Sequence, residues 1–292
     1  MPVVVIPAGI GIVDTLIGFV HRDVKEAYRW VTSRSRDPEQ LESPIEFLFK
    51  DVPDKRLKGV ADPVALTLQE MDRWGIERGM IGVGQPGDVG EQALKSHPDR
   101  FIPSASFDPN QGMDGIRSLV QAHETWGVRA VGVFPAGTFP QVAINDKKMY
   151  PLYAKCVELG IPVFCCAGIP GPRLKFAVQH VELIDEVMYD FPELTFVTRH
   201  GCEPWADLAV KLMLKWPGLH YSTSAFAPRY YPQAVINYAN TRGADKIIYA
   251  GYFPMGLSLD RIMTEMPSVG FKDEVWPKFL RTNALRVLGL DT

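Results

Sequence analysis

The stretch KIIYAGYFPMG (residues 246–256) has the form of a buried strand that runs directly into a loop. After an opening lysine, its first residues are apolar and include two β-branched isoleucines, a composition typical of strands. Gly251, Pro254 and Gly256 then break the apolar run, as residues of a loop do. The stretch therefore predicts a strand whose carboxyl end opens into a loop.

Seven earlier apolar runs of similar length share this form and alternate with amphipathic segments. One such segment, DGIRSLVQAHETWG (residues 114–127), places Ile116, Leu119, Val120 and His123 on one helical face, and Gly127 follows as a stop signal. The eight predicted strands span residues 10–14, 79–84, 101–107, 130–134, 162–166, 194–198, 219–223 and 246–250. Eight strands with helical crossovers predict an α/β fold, a single (β/α)8 barrel over residues 1–292, with its chemistry just after the strands.

The first connection is much longer than an ordinary connection between a strand and a helix. It covers residues 15–74, and part of it is charged and interspersed with aromatic residues. We expect this insertion to form a helical cap over the barrel mouth. A solvated surface insertion without that role is the alternative.

Composition and charge narrow the class of partner. The chain has 292 residues, 46% of them hydrophobic, and a formal net charge of −3, which gives no concentration of basic residues for nucleic acid or an anionic membrane. Its apolar opening lacks a basic leader, and no apolar run reaches the ~18 residues of a membrane span. We predict a cytoplasmic protein with a small-molecule substrate, no nucleic-acid or membrane partner, and four reduced cysteines.

Five motifs at or near the strand ends resemble landmarks of the amidohydrolase-related family that includes amino-carboxymuconate semialdehyde decarboxylase. They occur in the family's order and span almost the whole chain. The motifs are VDTLIGF (residues 13–19), GIPVFCCAG (160–168), LTFVTRHGCEPW (194–205), GADKIIYAGYFPMG (243–256) and NALRVLGL (283–290). The resemblance implies the same barrel fold and hydrolase or decarboxylase chemistry.

The resemblance also implies a divalent metal, commonly zinc, that this sequence is not equipped to bind. Family members hold the metal with a His-x-His pair after the first strand, a His after the fifth and an Asp after the eighth. Those positions fall on Leu16, Gly18, Cys166 and Tyr252. Leucine and glycine offer no ligand atom, and a neutral tyrosine replaces a carboxylate poorly. The sequence therefore predicts no metal and no other cofactor. A relocated zinc site built from His200, Cys202, Cys166 and Asp14 is the alternative.

Three residues are predicted to be catalytic. His200 matches the family's histidine after the sixth strand, which carries protons beside the metal, although it could merely bond loop backbone at the rim. Tyr252 could donate to a substrate oxygen or simply fill the space of the metal. Asp14 could act as a base or orient His200, or it could cap the following segment.

Three more residues are predicted to contact the substrate. Cys166 could be a nucleophile, but buried cysteines mostly behave as inert small hydrophobes. Arg199 alternates with His200, so it should face away from the mouth and form a structural ion pair unless the strand ends there. Glu203 could line the mouth or belong to a rigid turn with Pro204.

These residues leave two classes of function open, an enzyme and a binding module. The first is a metal-independent hydrolase or decarboxylase, or another C–C lyase, acting on a small organic acid or lactone. The second is a pseudoenzyme that keeps the pocket for a ligand or partner protein, and a metallohydrolase with relocated ligands is a further alternative. Aromatic residues in the insertion and in the seventh loop also predict a homodimer.

Overall fold

A computed structural model describes residues 9–36, 41–84 and 87–290 of the chain. Eight parallel strands form one sheet in which every strand neighbours the next in the chain, from β1 to β8. The strands are β1 Ile12–Asp14, β2 Ile76–Gly82, β3 Phe101–Ser106, β4 Ala130–Val133, β5 Val163–Cys166, β6 Phe196–Arg199, β7 Leu219–Ser222 and β8 Ile247–Ile248. The predicted (β/α)8 barrel is confirmed.

The sheet curls until its first and last strands meet. The backbone N–H of Thr15 donates to the Tyr249 carbonyl at 3.3 Å, and that of Gly18 donates to the Phe253 carbonyl at 2.8 Å. An isolated parallel bridge between Ile17 and Phe253 extends this contact beyond the strands. Because these bonds lie at the carboxyl ends of β1 and β8, closure fixes the two loops that flank the barrel mouth.

Helices follow the strands and bury one face each against the sheet. In α6 the buried residues include Ile116, Leu119 and Ala122, and the helix ends at Gly127, whose left-handed φ of 65° suits glycine. The helices are α1 Val24–Ala27, α2 Arg29–Thr32, α3 Pro53–Arg56, α4 Pro63–Arg73, α5 Val89–Ser96, α6 Gly112–Trp126, α7 Tyr150–Leu159, α8 Leu183–Asp190, α9 Ala206–Lys215, α10 Gln233–Ala239, α11 Leu259–Glu265 and α12 Asn283–Val287. None of the described helices is long and apolar enough to cross a membrane.

Apolar side chains from alternate strand positions fill the barrel interior. This inner cluster also receives side chains from α12, whose Asn283 bonds the Ala244 and Ile247 carbonyls near the start of β8. The strand residues of the cluster are Val13, Met80, Ile102, Ala130, Phe164, Val197 and Ile248. The end of the barrel opposite the mouth is thus packed and covered.

The insertion between β1 and β2 contains three four-residue helices, α1 to α3, and contacts the loops at the mouth. Asp54 is its fully buried anchor: its carboxylate accepts from the His21 ring at 2.7 Å and from the Tyr28 hydroxyl at 3.0 Å. The Asp54 backbone N–H donates to the Pro254 carbonyl in the loop after β8. Helix α4, which the sequence placed inside the insertion, instead packs against β2 as a barrel helix.

Strand β2 begins three residues earlier than predicted, at Ile76 rather than Gly79. The sequence did not predict the start of β2, because two adjacent charged residues, Glu77 and Arg78, are typical of a loop. Glu77 lies near the surface and forms an ion pair with Arg281 at 2.9 Å.

Candidate active site

The sixth strand ends where the sequence places its most informative motif. Strand β6 stops at Arg199, and His200 follows with a φ of 66°, a left-handed value that non-glycine residues rarely adopt. This turn interrupts the alternation of side chains along the strand. Both Arg199 and His200 therefore reach the mouth.

His200 is held by the end of the seventh strand. The Ser224 hydroxyl lies 3.1 Å from His200 Nδ1 and also accepts the His200 backbone N–H at 3.1 Å. Ser222 donates to the same hydroxyl at 3.4 Å. When the Ser224 hydroxyl donates to Nδ1, the Nε2–H of the neutral imidazole is free to donate to a bound molecule.

The protonation state of His200 differs from the sequence expectation. Burial and the neighbouring Arg199 guanidinium lower the pKa of His200 to about 3, although the residue keeps some accessible surface. The imidazole is therefore neutral at physiological pH. The prediction that it titrates in the neutral range is wrong. A neutral imidazole can still donate or accept a hydrogen bond in a reaction.

Tyr252, after the eighth strand, lies directly against His200. The two rings meet edge to face with their centroids 5.2 Å apart. Burial raises the pKa of Tyr252, and the nearby Cys166 adds to the effect, so the hydroxyl stays protonated. No residue in the described part of the chain hydrogen-bonds this hydroxyl, which leaves it available as a donor.

Unusual backbone conformations cluster around His200 and Tyr252. Among the described residues, four non-glycine residues have positive φ, and they follow β6, β7 and β8: His200, Cys202, Ala225 and Tyr252, the last with a φ of 89°. Such conformations cost energy and cluster at functional sites. Tyr252 is held there by a backbone bond to the Leu16 carbonyl at 2.9 Å.

Arg199 occupies the barrel interior, and the predicted ion pair is wrong. Its guanidinium carbon lies 5.0 Å from the centroid of the Phe164 ring, inside the barrel. No acidic side chain of the described residues pairs with it, and its buried Nε has no hydrogen-bond partner there. Alternation from the interior Val197 places Arg199 inside the barrel, and the turn at His200 brings the imidazole to the mouth as well, so the two residues do not face opposite ways.

Cys166 and Glu203 flank this region. Burial raises the pKa of Cys166 to about 12 despite the opposing effect of Arg199, so the thiol stays protonated and unsuited to a nucleophile. Burial and the nearby Asp207 raise the pKa of Glu203, which is half-buried. Its backbone is held tightly, because a Cβ at Gly168 would lie 2.8 Å from backbone atoms of Cys202 and Glu203.

Asp14 lies on the outer side of the sheet and bonds the backbone of the loops at the barrel mouth. It follows the interior residue Val13 in β1, so alternation turns its fully buried carboxyl group to the outer side of the sheet, beside Tyr249. Its Oδ1 accepts the backbone N–H groups of Leu16 at 2.9 Å and Gly251 at 2.8 Å. Asp14 thereby fixes the backbone next to Tyr252, and no hydrogen bond joins it to His200.

Burial raises the pKa of Asp14 to about 7, against the opposing effect of its backbone bonds and of the Tyr249 hydroxyl. That hydroxyl lies close to the carboxyl group, yet neither Asp14 Oδ2 nor the Tyr249 oxygen has a hydrogen bond of good geometry among the described residues. Asp14 is therefore the group at this end of the barrel whose charge changes near neutral pH.

Comparison with known proteins agrees with this arrangement of strands. The sequence profile of the family described as Amidohydrolase matches residues 32–290. The chain belongs to this family. Among curated proteins the comparison found no significant match.

Several solved structures share the amidohydrolase barrel over nearly its full length. An uncharacterised TIM-barrel protein from Bordetella bronchiseptica is 24% identical with a TM-score of 0.74, covering 96% of this chain and 99% of its own. A 2,6-dihydroxybenzoate decarboxylase from Rhizobium is 17% identical with a TM-score of 0.68, covering 97% and 99%. A 5-carboxyvanillate decarboxylase from Novosphingobium aromaticivorans with bound manganese is 14% identical with a TM-score of 0.69, covering 97% and 98%. At these identities the likeness establishes the fold.

The residues present do not fit the metal of this amidohydrolase family. Leu16 and Gly18 use their backbone groups to bond the loop after β8, and their side chains have no ligand atom. The Cys166 thiol and the Tyr252 hydroxyl both hold their protons because of burial. Across residues 9–36, 41–84 and 87–290, no three His, Cys, Asp or Glu side chains are grouped to hold a metal ion, so the relocated zinc set is wrong.

The sequence did not predict two residues that position others in the site: Ser224, which bonds His200, and Gly132 on β4, where a Cβ would lie 2.8 Å from Arg199 Nη1. Ser224 is signalled by the alternation of Ser222 and Ser224 at the end of β7, which places two hydroxyls on one face. Gly132 is signalled only by its position two residues after the interior Ala130. Two surface depressions of about 550 and 440 Å³ lie elsewhere, between α4 and α5 and within the insertion, and neither is lined by these residues.

Proposed function

We propose that this amidohydrolase-family protein is an enzyme that decarboxylates a small organic acid by proton transfer, without a divalent metal. The observation that carries the proposal is the edge-to-face pair of His200 and Tyr252 at 5.2 Å, with His200 oriented by Ser224. The names of the similar structures, decarboxylases of 2,6-dihydroxybenzoate and 5-carboxyvanillate, favour this reaction within the family.

Decarboxylation requires a proton donor near the carbon that loses its carboxyl group. As the C–C bond breaks, CO2 leaves and the electron pair stays on carbon, which must then receive a proton. Two groups after the strands can supply it, the Tyr252 hydroxyl, which holds its proton because of burial, and the neutral imidazole of His200. The donor that gives its proton regains one from water, so the cycle needs no redox partner.

In this proposal, oriented hydrogen-bond donors stabilise the developing negative charge that a metal ion would otherwise stabilise. Hydrogen-bond donors that are already oriented stabilise developing negative charge without reorganising, and each contributes about 3 kcal/mol in a closed site. The strained backbone at His200 and Tyr252, with φ of 66° and 89°, holds the donors in place. Asp14 positions the Tyr252 loop through the Gly251 N–H, and the adjoining Arg199, Cys166 and Glu203 contact the substrate.

Turnover assays test the proposal. Protein purified without added metal is incubated with hydroxybenzoic acids and small aliphatic acids, and released CO2 is measured before and after treatment with EDTA. We expect EDTA-resistant turnover of at least one acid. Tyr252→Phe should lower kcat by roughly 10- to 1,000-fold, the scale of losing one oriented donor. His200→Asn should be at least as damaging.

Tyr189→Phe is the matched control, because it removes the same hydroxyl from a side chain that is 75% exposed on α8. Its turnover should equal that of the unmodified protein. Turnover that survives both Tyr252→Phe and His200→Asn would place the chemistry on other residues. Turnover lost on EDTA treatment and restored by zinc or manganese would contradict metal independence, and tight binding of acids without any CO2 release would indicate a pseudoenzyme.

A further inference from the structure

One side of the barrel mouth is lined by residues with little or no side chain. Gly82 and Ser106 continue the interior positions of Met80 and Ile102, and both are exposed. No atom lies within 4 Å of the place that a Cβ would take at Gly82. Beside them on β4 lies Gly132, which also keeps accessible surface. Strands β2 to β4 therefore leave open space at the mouth.

The Arg199 guanidinium reaches into this space from the other side of the barrel. A Cβ at Gly132 would lie only 2.8 Å from Arg199 Nη1, so the guanidinium crosses from β6 to the surface of β4. The Phe164 ring lies 5.0 Å from the guanidinium carbon and forms its apolar floor. Glycine at position 132 makes this placement possible, because any side chain there would displace the cation.

This cation has no internal counter-charge. No salt bridge or hydrogen bond to Arg199 occurs within residues 9–36, 41–84 and 87–290, and its Nε is buried without a partner. Arg199 is half-buried and keeps accessible surface, so its guanidinium lies where an anion that enters the mouth can supply the missing counter-charge. Its planar fork of donors matches a carboxylate in a two-point contact.

We propose that the Arg199 guanidinium, positioned by Gly132, binds the carboxylate of a small organic anion at the barrel mouth. The inference rests on the proposed function in placing the substrate at the same mouth, and it adds which group holds which part of the molecule. A carboxylate fits better than a phosphate, because Arg199 is the one charged side chain among the described interior positions at this end of the strands. A phosphate dianion would call for more donors.

Equilibrium binding tests this without turnover. Trifluoroacetate and 4-fluorobenzoate are the probes, with trifluoroacetamide and 4-fluorobenzamide as their neutral counterparts, and binding is followed by the 19F line width. We expect at least one carboxylate to bind the unmodified protein at least about tenfold more tightly than its amide, the scale of a charge-assisted hydrogen bond. Inorganic phosphate should compete poorly.

Variants identify the group responsible. Arg199→Met should weaken carboxylate binding at least about tenfold, and Gly132→Ala should weaken it severalfold by pushing the guanidinium aside while keeping its charge. Arg117→Met is the matched control, because it removes the same guanidinium from a side chain that is 71% exposed on α6. It should leave the preference for carboxylate over amide unchanged.

The proposal is overturned if both amides bind as tightly as their acids, if Arg199→Met binds carboxylates like the unmodified protein, or if phosphate displaces them at equal concentration. The proposal is overturned as well if neither carboxylate binds. Should Arg199→Met fail to fold by circular dichroism, Gly132→Ala decides, and unchanged affinity there counts against the idea. Carboxylate binding that needs Arg199 but yields no CO2 contradicts the proposed function alone, whereas turnover with binding that ignores Arg199 contradicts this inference alone.

Discussion

Replacing Asp14 by asparagine should stabilise the protein, increasingly so as the pH rises. Burial raises the pKa of this carboxyl group from 3.8 to about 7. Between these values the folded protein holds a proton that the unfolded chain has released, so the folded state becomes less stable as the pH rises towards 7. The effect is complete above pH 7 and absent below about pH 4.

The size of the effect follows from the difference between the two pKa values. Roughly three pH units at about 1.36 kcal/mol each give about 4 kcal/mol above pH 7, and about 1 to 2 kcal/mol at pH 5. Asparagine keeps the oxygen that accepts from Leu16 and Gly251, and it carries no charge at any pH. The free energy of unfolding of Asp14→Asn should therefore exceed that of the unmodified protein by an amount that grows by about 2 to 3 kcal/mol between pH 5 and pH 8.

Urea unfolding followed by tryptophan fluorescence at pH 5, 6, 7 and 8 measures this difference directly. Comparing two proteins that differ at one residue cancels the contributions of all other titrating groups. Asp260→Asn, which removes an exposed carboxylate paired with Arg73 on the surface, should change the free energy of unfolding by less than about 1 kcal/mol. A difference between Asp14→Asn and the unmodified protein that stays constant with pH, or that falls as the pH rises, would refute the reasoning.

Three further outcomes are expected. Elemental analysis of protein purified without added metal should find less than stoichiometric zinc, because Leu16, Gly18, Cys166 and Tyr252 stand at the ligand positions; one zinc per chain would contradict this. Thiol reagents at pH 8 should react slowly with the native protein and with four thiols after unfolding, since all four cysteines are buried and burial raises each thiol pKa; rapid native labelling of Cys166 would restore the nucleophile hypothesis. Light scattering at micromolar concentration should give the mass of a homodimer, because Trp30, Leu48 and Tyr230 are each at least half exposed, and a monomeric mass would count against it.

The sequence by itself determined the architecture of this protein. Each strand can be predicted from its own residues, because a strand buried on both faces must be apolar over several residues. The order of eight such runs is compatible with few topologies. The prediction failed where a strand carries charge, as β2 does at Glu77 and Arg78. The sequence correctly indicated that His200 and Tyr252 follow strands β6 and β8. The closed barrel then brings the ends of these strands together.

Only the tertiary structure decided what the side chains at the mouth do. Arg199 and His200 both reach the mouth because β6 stops between them, and the guanidinium has room there because Gly132, on another strand, has no side chain. The hydroxyl that orients His200 comes from Ser224, 24 residues away, and the loop that carries Tyr252 is fixed by Asp14, 237 residues before Gly251. The pKa values of these groups depend on burial, which a sequence does not contain. Local patterns fix elements because their causes are local, whereas contacts and electrostatics at the mouth arise only when distant segments meet.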